Sequence, residues 1–74
     1  MTRKQRDLSA LEERLGYVHL RQNPERAQPL FESALAREPD SVSGHIGLGL
    51  SLLAIGDRDG GLRQLERAVE LAPD

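Results

Sequence analysis

The sequence predicts an all-α fold in which four helices form two stacked helix-turn-helix repeats. Three observations support this prediction. Four segments carry apolar residues at three- and four-residue steps, which is the period of an amphipathic helix. Proline, glycine, asparagine and aspartate lie between these segments and mark turns. The second half of the chain repeats the residue pattern of the first half at an offset of 33 to 34 residues.

The first helix is predicted to run from about Leu8 to Gln22, after a basic arm over residues 1–8. Its apolar residues form one stripe along the helix: Leu8, Leu11, Leu15 and Val18. Ser9 is followed three residues later by a glutamate, which is the pattern of a capping box, and Asp7 is an equally suitable N-cap.

The second helix is predicted from Pro24 to about Arg37, because Asn23 is a good N-cap and proline suits the first helical position. Pro29 removes a backbone hydrogen bond inside this segment. We therefore expect a kinked or tight first turn, or a helix that begins properly only near Gln28. The following Pro39 ends the helix. The residues expected to be buried are Ala27, Leu30, Phe31, Ala34 and Leu35.

The third helix is predicted from Val42 to about Ile55 and the fourth from Arg58 to Ala72. Ser41 and Asp57 are their N-caps, while Gly56 and Pro73 are the stop signals. The third helix contains three glycines, each of which costs about 1 kcal/mol relative to alanine in a helix interior. Side chains this sparse indicate that a neighbouring helix or a ligand comes close. These glycines are Gly44, Gly47 and Gly49.

The internal repeat divides residues 9–74 into two units, 9–41 and 42–74. At an offset of 34, six residues of the second helix and its exit align with six of the fourth: Phe31, Glu32, Ala34, Leu35, Pro39 and Asp40 with Leu65, Glu66, Ala68, Val69, Pro73 and Asp74. At an offset of 33, Leu15-Gly16 and Leu20 align with Leu48-Gly49 and Leu53. Glycine and alanine at these positions let helices approach closely, and Phe31 and Leu65 fill the gap to the next hairpin.

This pattern resembles the tetratricopeptide repeat over about residues 9–74. The Leu-Gly pairs, the small residues Ala27 and Gly61, the later alanines and the closing prolines carry the resemblance. The sequence departs from the family at the aromatic positions, where Glu12 and His45 replace tryptophan and His19 and Leu52 replace tyrosine. The resemblance implies a fragment of a right-handed superhelix and a non-enzymatic module that binds another protein or peptide.

The resemblance also implies a concave groove lined by the first helix of each hairpin. Its residues would be Glu13, Tyr17, Leu20 and Arg21 from the first helix, and Ile46, Gly47, Leu50, Leu53 and Ala54 from the third. The Lys and Asn clamp that chaperone-binding members use for a terminal carboxylate is not expected here. An apolar groove suits an amphipathic helix of a partner. Alternatively, Leu50 and Leu53 belong to the core.

A second hypothesis is self-association. Two hairpins provide a single stacking interface, and the fourth helix is expected to leave an apolar face uncovered. A second copy of the chain would cover this face in a homodimer. The residues expected there are Leu62, Leu65, Val69 and Leu71.

Composition argues against other function classes. The 74 residues contain no cysteine, and the net charge is -2, which gives no general attraction to nucleic acid or to an anionic membrane. We expect no catalytic residue, metal or cofactor, because His19 and His45 are not spaced as ligands. An enzyme or a nucleic-acid binder would have to depend on these histidines or on Arg3, Lys4 and Arg6. The absence of a signal or transmembrane segment predicts a cytoplasmic protein.

Overall fold

A computed structural model of the chain describes residues 2–72. It contains the four α-helices α1 (Arg3–Gln22), α2 (Pro24–Arg37), α3 (Val42–Ala54) and α4 (Arg58–Leu71), with no strand in the part described. Helices α1 and α2 form one hairpin, and α3 and α4 form the second. Helix α3 packs against both α1 and α2, so the hairpins lie side by side. The predicted all-α architecture is confirmed.

Helix α1 begins earlier than predicted. The Thr2 side chain accepts a hydrogen bond from the Gln5 N–H at 3.1 Å and caps the helix. The predicted start near Leu8 is therefore wrong, and residues 3–8 of the predicted basic arm form the first turns of α1. Ser9 is not a cap, because it lies fully buried, where its hydroxyl donates to the Ala34 carbonyl at 3.4 Å.

Helix α2 begins at Pro24, as predicted, and continues through Pro29 to Arg37. The alternative start near Gln28 is wrong. Pro29 lies on an exposed side of the helix, where water can reach the carbonyl that it leaves unpaired. The predicted side-chain cap by Asn23 is also wrong, because that side chain makes no capping hydrogen bond.

The predicted caps of the second hairpin are confirmed. The Ser41 hydroxyl accepts from the Gly44 N–H at 2.9 Å, and the Asp57 carboxylate accepts from the Gly60 N–H at 3.0 Å. Helix α3 ends one residue before the predicted Ile55. Pro73, the predicted stop of α4, lies outside the described residues.

Gly56 stops α3 in the predicted manner. Its φ of 98° lies in the left-handed region that glycine adopts without strain. Its N–H donates to the Leu53 carbonyl at 3.2 Å, and the next N–H donates to the Leu52 carbonyl at 2.8 Å. These two bonds form a Schellman motif, which satisfies carbonyls at the helix end.

The Phe31 side chain is the centre of the core. It is fully buried and packs with Ala27, Leu48 and Leu52. A Cβ atom at Gly16 would lie 2.7 Å from the Phe31 ring, and one at Gly47 would overlap the ring still more. The ring therefore occupies space that only glycine leaves free on both α1 and α3.

The second hairpin repeats this arrangement with smaller side chains. A Cβ atom at Gly49 would lie 2.9 Å from Leu65 Cγ, and one at Gly61 would lie 2.7 Å from Leu53 Cγ. Leu65 therefore covers Gly49 as Phe31 covers Gly16. The repeat predicted that Phe31 and Leu65 are equivalent residues, and their packing confirms it.

Polar side chains join α1 to α2. Glu12 accepts a hydrogen bond from Ser33 and forms an ion pair with Arg37, whose Nε lies 2.9 Å from the Glu12 carboxylate. Arg37 also donates to the Gln5 side chain at 2.6 Å. Because these polar residues and Gly16 face α2, most of the predicted apolar stripe of α1 is turned towards solvent.

We predict that Gly47→Ala lowers the free energy of unfolding by about 1–3 kcal/mol, because the new methyl group would overpack the buried Phe31 ring. Urea denaturation followed by circular dichroism measures this change. In a Phe31→Leu background, Gly47→Ala should cost less free energy of unfolding than it costs in the native chain, because the smaller side chain leaves room for the methyl group. Gly44→Ala is the matched control, since its methyl group would meet mainly the flexible end of Leu35. Equal losses at Gly44 and Gly47, or strictly additive effects in the double variant, would contradict the packing described.

Candidate interaction surfaces

Two hydrogen bonds align α1 beside α3. The Tyr17 hydroxyl donates to the Ser43 carbonyl at 2.7 Å, and the Ser41 hydroxyl donates to the Glu13 carboxylate at 2.5 Å. The order from Glu13 to Tyr17 on α1 matches the order from Ser41 to Ser43 at the start of α3, so the two helices run parallel. The Tyr17 ring also packs edge-on against Phe31, with 4.8 Å between the ring centroids and 76° between the planes. Tyr17 therefore connects α3 to the core through both its hydroxyl and its ring.

Four of the predicted groove residues lie on α1 and α3 with half-buried or exposed side chains: Tyr17, Leu20, Arg21 and Leu50. Tyr17, Leu20 and Arg21 line an open cavity of about 410 Å³ together with Val18. Leu50 follows Ser43 by seven residues, or two helical turns, so it lies on the same side of α3. Its side chain is 39% exposed. We call these four residues, Tyr17, Leu20, Arg21 and Leu50, the groove.

The other predicted groove residues lie elsewhere or are already in contact with other residues of the chain. Gly47 is buried against Phe31, so its predicted place on the groove is wrong. Leu53 is half-buried over Gly61, which favours the core alternative for this residue. Glu13 holds the hydroxyl that caps α3. Ile46 lines a second cavity, on the α4 side of α3. Ala54 is exposed.

The second cavity lies between α3 and α4 and has a volume of about 330 Å³. Six apolar residues line it: Val42, Ile46, Leu65, Ala68, Val69 and Ala72. Beside it, Leu62 is 42% exposed and Val69 is 76% exposed. We call Leu62, Leu65 and Val69 the α4 face. Leu71, predicted for the same face, follows Leu62 by nine residues, which places it on the opposite side of the helix.

A further apolar surface on α1 was not predicted. Leu11 is 55% exposed, Leu15 is 49% exposed and Val18 is 57% exposed. We call these three residues the α1 outer face. The sequence repeat does indicate this face. At an offset of 33, Leu11, Leu15 and Val18 align with Gly44, Leu48 and Ser51. Those residues are all buried in the second hairpin, whereas the first hairpin has nothing packed at the equivalent place within residues 2–72.

The two histidines have structural surroundings. The His45 Nδ1 lies 2.7 Å from the Gln64 side-chain oxygen on α4, and its Nε2 lies 2.8 Å from the Pro39 carbonyl. The ring therefore joins α4 to the turn before α3. His19 is half-buried on α1. Across residues 2–72, no group of three histidine, cysteine, aspartate or glutamate side chains is placed to hold a metal ion.

No helix within the described residues combines the length and the apolar character needed to cross a membrane.

Comparisons with known proteins identify the repeat. Residues 19–74 match the family model described as a tetratricopeptide repeat. The predicted resemblance is therefore confirmed by an independent comparison. Searches of curated proteins and of solved structures found no match to the chain. The division into units 9–41 and 42–74 stays a prediction.

We predict that Glu13 stabilises the start of α3, because its carboxylate holds the Ser41 hydroxyl that caps the helix. Ser41→Ala should cost about 1 kcal/mol of unfolding free energy through loss of the cap. Glu13→Gln should cost less, and the two losses should not add, since both remove the same contact. Asp57→Ala, which removes a cap with no such support, is the control and should combine additively with Glu13→Gln. Thermal and urea unfolding measure these differences, and additivity at Ser41 would contradict the role given to Glu13.

Proposed function

Since the chain belongs to the tetratricopeptide repeat family, we propose that it is a non-enzymatic adaptor or assembly module. Its groove, formed by Tyr17, Leu20, Arg21 and Leu50, binds one face of an amphipathic helical segment from a partner protein. The family supports a protein–protein interaction role, and the choice of groove and ligand is our proposal.

Leu50 is the observation that carries the choice of groove. It is an exposed leucine on a helix whose other leucines are at least half-buried, and the repeat offset of 33 aligns it with Tyr17. Covering apolar surface contributes roughly 25 cal/mol per Å², before the costs of ordering and association are subtracted. An aliphatic side chain laid across α1 and α3 would gain this contribution from both helices.

Arg21 adds a charge requirement to this surface. It is exposed at the edge of the cavity that Tyr17 and Leu20 line, and it forms no ion pair with any residue from 2 to 72. A carboxylate on the ligand would give the guanidinium a partner. The preferred segment therefore has an aliphatic stripe with acidic residues beside it.

We predict that Leu50→Gln weakens binding of an amphipathic peptide about tenfold, because a leucine contact worth roughly 1–2 kcal/mol is lost. The probe is a fluorescein-labelled helical peptide with leucines at helical positions i, i+3, i+4 and i+7 and glutamates between them, measured by fluorescence anisotropy. Leu62→Gln is the matched control, because this leucine is similarly exposed but lies on α4. Equal weakening by both variants, or no binding by the native chain, would contradict the proposed groove.

We predict that Arg21→Gln removes the preference for an acidic ligand. The native chain should bind the leucine-glutamate peptide several-fold more tightly than a leucine-glutamine peptide of the same pattern, because one exposed ion pair contributes up to about 1 kcal/mol. The Arg21→Gln variant should bind both peptides with similar affinity. Arg26→Gln, which removes an exposed arginine from α2, is the control. A preference that survives Arg21→Gln would assign the acidic selectivity to another residue.

A further inference from the structure

The two outermost helices of the stack each expose an apolar surface in addition to the groove. Helix α1 packs against α2 and α3, whereas α4 packs against α3, so α1 and α4 lie at opposite ends of the described structure. The α1 outer face consists of Leu11, Leu15 and Val18, and the α4 face consists of Leu62, Leu65 and Val69. Single exposed leucines are ordinary, but two contiguous apolar stripes on opposite ends indicate interfaces.

The repeat relates these two faces to the junction between the hairpins. At an offset of 33, Leu15 corresponds to Leu48, which packs with Phe31 of α2 in the core. At an offset of 34, Leu65 corresponds to Phe31 itself. The α1 outer face is thus the counterpart of the α3 half of this junction, and the α4 face is the counterpart of the α2 half. The chain therefore contains one complete α2–α3 junction, and it exposes a counterpart of each side of that junction on α4 and α1.

The bulk of the side chains is distributed differently in the two separated halves. At the internal junction, α3 supplies Gly44 beside Leu35 and Gly47 beside Phe31. The corresponding residues are Leu11 and Arg14 on α1, opposite the smaller Val69 and Leu65 on α4. The α1 side chains are thus larger, and the α4 side chains smaller, than their counterparts at the internal junction. The two faces would therefore pack with α1 and α4 further apart than α3 and α2.

The charged rows along one edge of each face are opposite in sign. Along α1, the exposed row at the edge of the outer face contains three arginines and one aspartate, a net charge of +2: Arg3, Asp7, Arg14 and Arg21. Along α4, the exposed row contains three acidic residues and one arginine, a net charge of -2: Asp59, Arg63, Glu66 and Glu70. Pairing α1 with α4 would bring opposite rows together, whereas pairing either helix with itself would oppose like charges.

We propose that copies of this chain associate end to end, with the α1 outer face of one copy on the α4 face of the next. The contact is heterologous, so it propagates along the stack instead of closing as a symmetric dimer. Leu11, Leu15 and Val18 cover Leu62, Leu65 and Val69. The aliphatic part of Arg14 extends over Leu65, and its guanidinium reaches the acidic row. This association does not use Tyr17, Leu20 or Leu50 of the proposed groove, whereas Val18 and Arg21 border both surfaces.

A pair of variants, each with one face disrupted, tests the proposal. Leu15→Asp places a charge in the α1 outer face, and Val69→Asp places one in the α4 face; both positions are exposed, so folding should persist and circular dichroism verifies it. Sedimentation equilibrium of the native 74-residue chain over a concentration series should show an average mass that rises above 8.2 kDa and continues past the dimer. Raising the salt concentration should reduce this mass.

The decisive measurement is the mixture. Each variant alone should stay at the mass of one chain, because it retains only one of the two complementary faces. An equimolar mixture should form a complex of two chains and no larger species, because one α1 outer face and one α4 face remain intact between them. Leu50→Gln is the control and should leave the association of the native chain unchanged.

Three outcomes would overturn the proposal. A native chain that remains at the mass of one chain up to millimolar concentration excludes end-to-end association. Dimers of Leu15→Asp alone would indicate a symmetric contact through α4, and dimers of Val69→Asp alone would indicate a symmetric contact through α1. The Leu50→Gln measurement tests peptide binding to the groove separately, because Leu50 belongs to neither of the two associating faces.

Discussion

The position of three helices depends on one aromatic ring. Phe31 of α2 occupies the space left by Gly16 on α1 and Gly47 on α3, and Tyr17 closes over it edge-on. Because interiors are close-packed, neither helix can move towards the ring, and neither can move away without opening a void. The hydroxyl of the same Tyr17 holds the Ser43 carbonyl on α3. The alignment of the groove is therefore a consequence of how the core is filled.

Local signals in the sequence were sufficient for most helix boundaries. Ser41, Gly56 and Asp57 act through hydrogen bonds to residues within five positions, so the adjacent sequence specifies them. The start of α1 also has a local signal, since Thr2 is followed three residues later by Gln5 in a capping-box pattern. Apolar periodicity does not indicate this start, because residues 3–7 contain no apolar residue and the first turns of α1 contact α2 through polar side chains.

The groove was only partly predictable because its limits depend on neighbouring helices. Gly47 and Leu50 are three residues apart, which places them about 60° apart around α3, within the width of one helical face. Periodicity cannot separate them. The Phe31 ring lies over Gly47 and leaves Leu50 in solvent, and the same kind of tertiary contact places Leu53 over Gly61. A sequence repeat predicts that such contacts recur, but it does not assign each residue to a side.

The two hairpins achieve close packing by different chemistry, and this difference explains where the apolar surface lies. In the second hairpin, α3 and α4 approach through Gly49 and Gly61, with Leu53 and Leu65 filling the space around them. In the first hairpin, Glu12 supplies part of the contact through Ser33 and Arg37. A charged residue at that position must keep its partners, because an unpaired carboxylate there would be costly to bury. With this side of α1 occupied by polar contacts and glycine, Leu11 and Leu15 of α1 face outward.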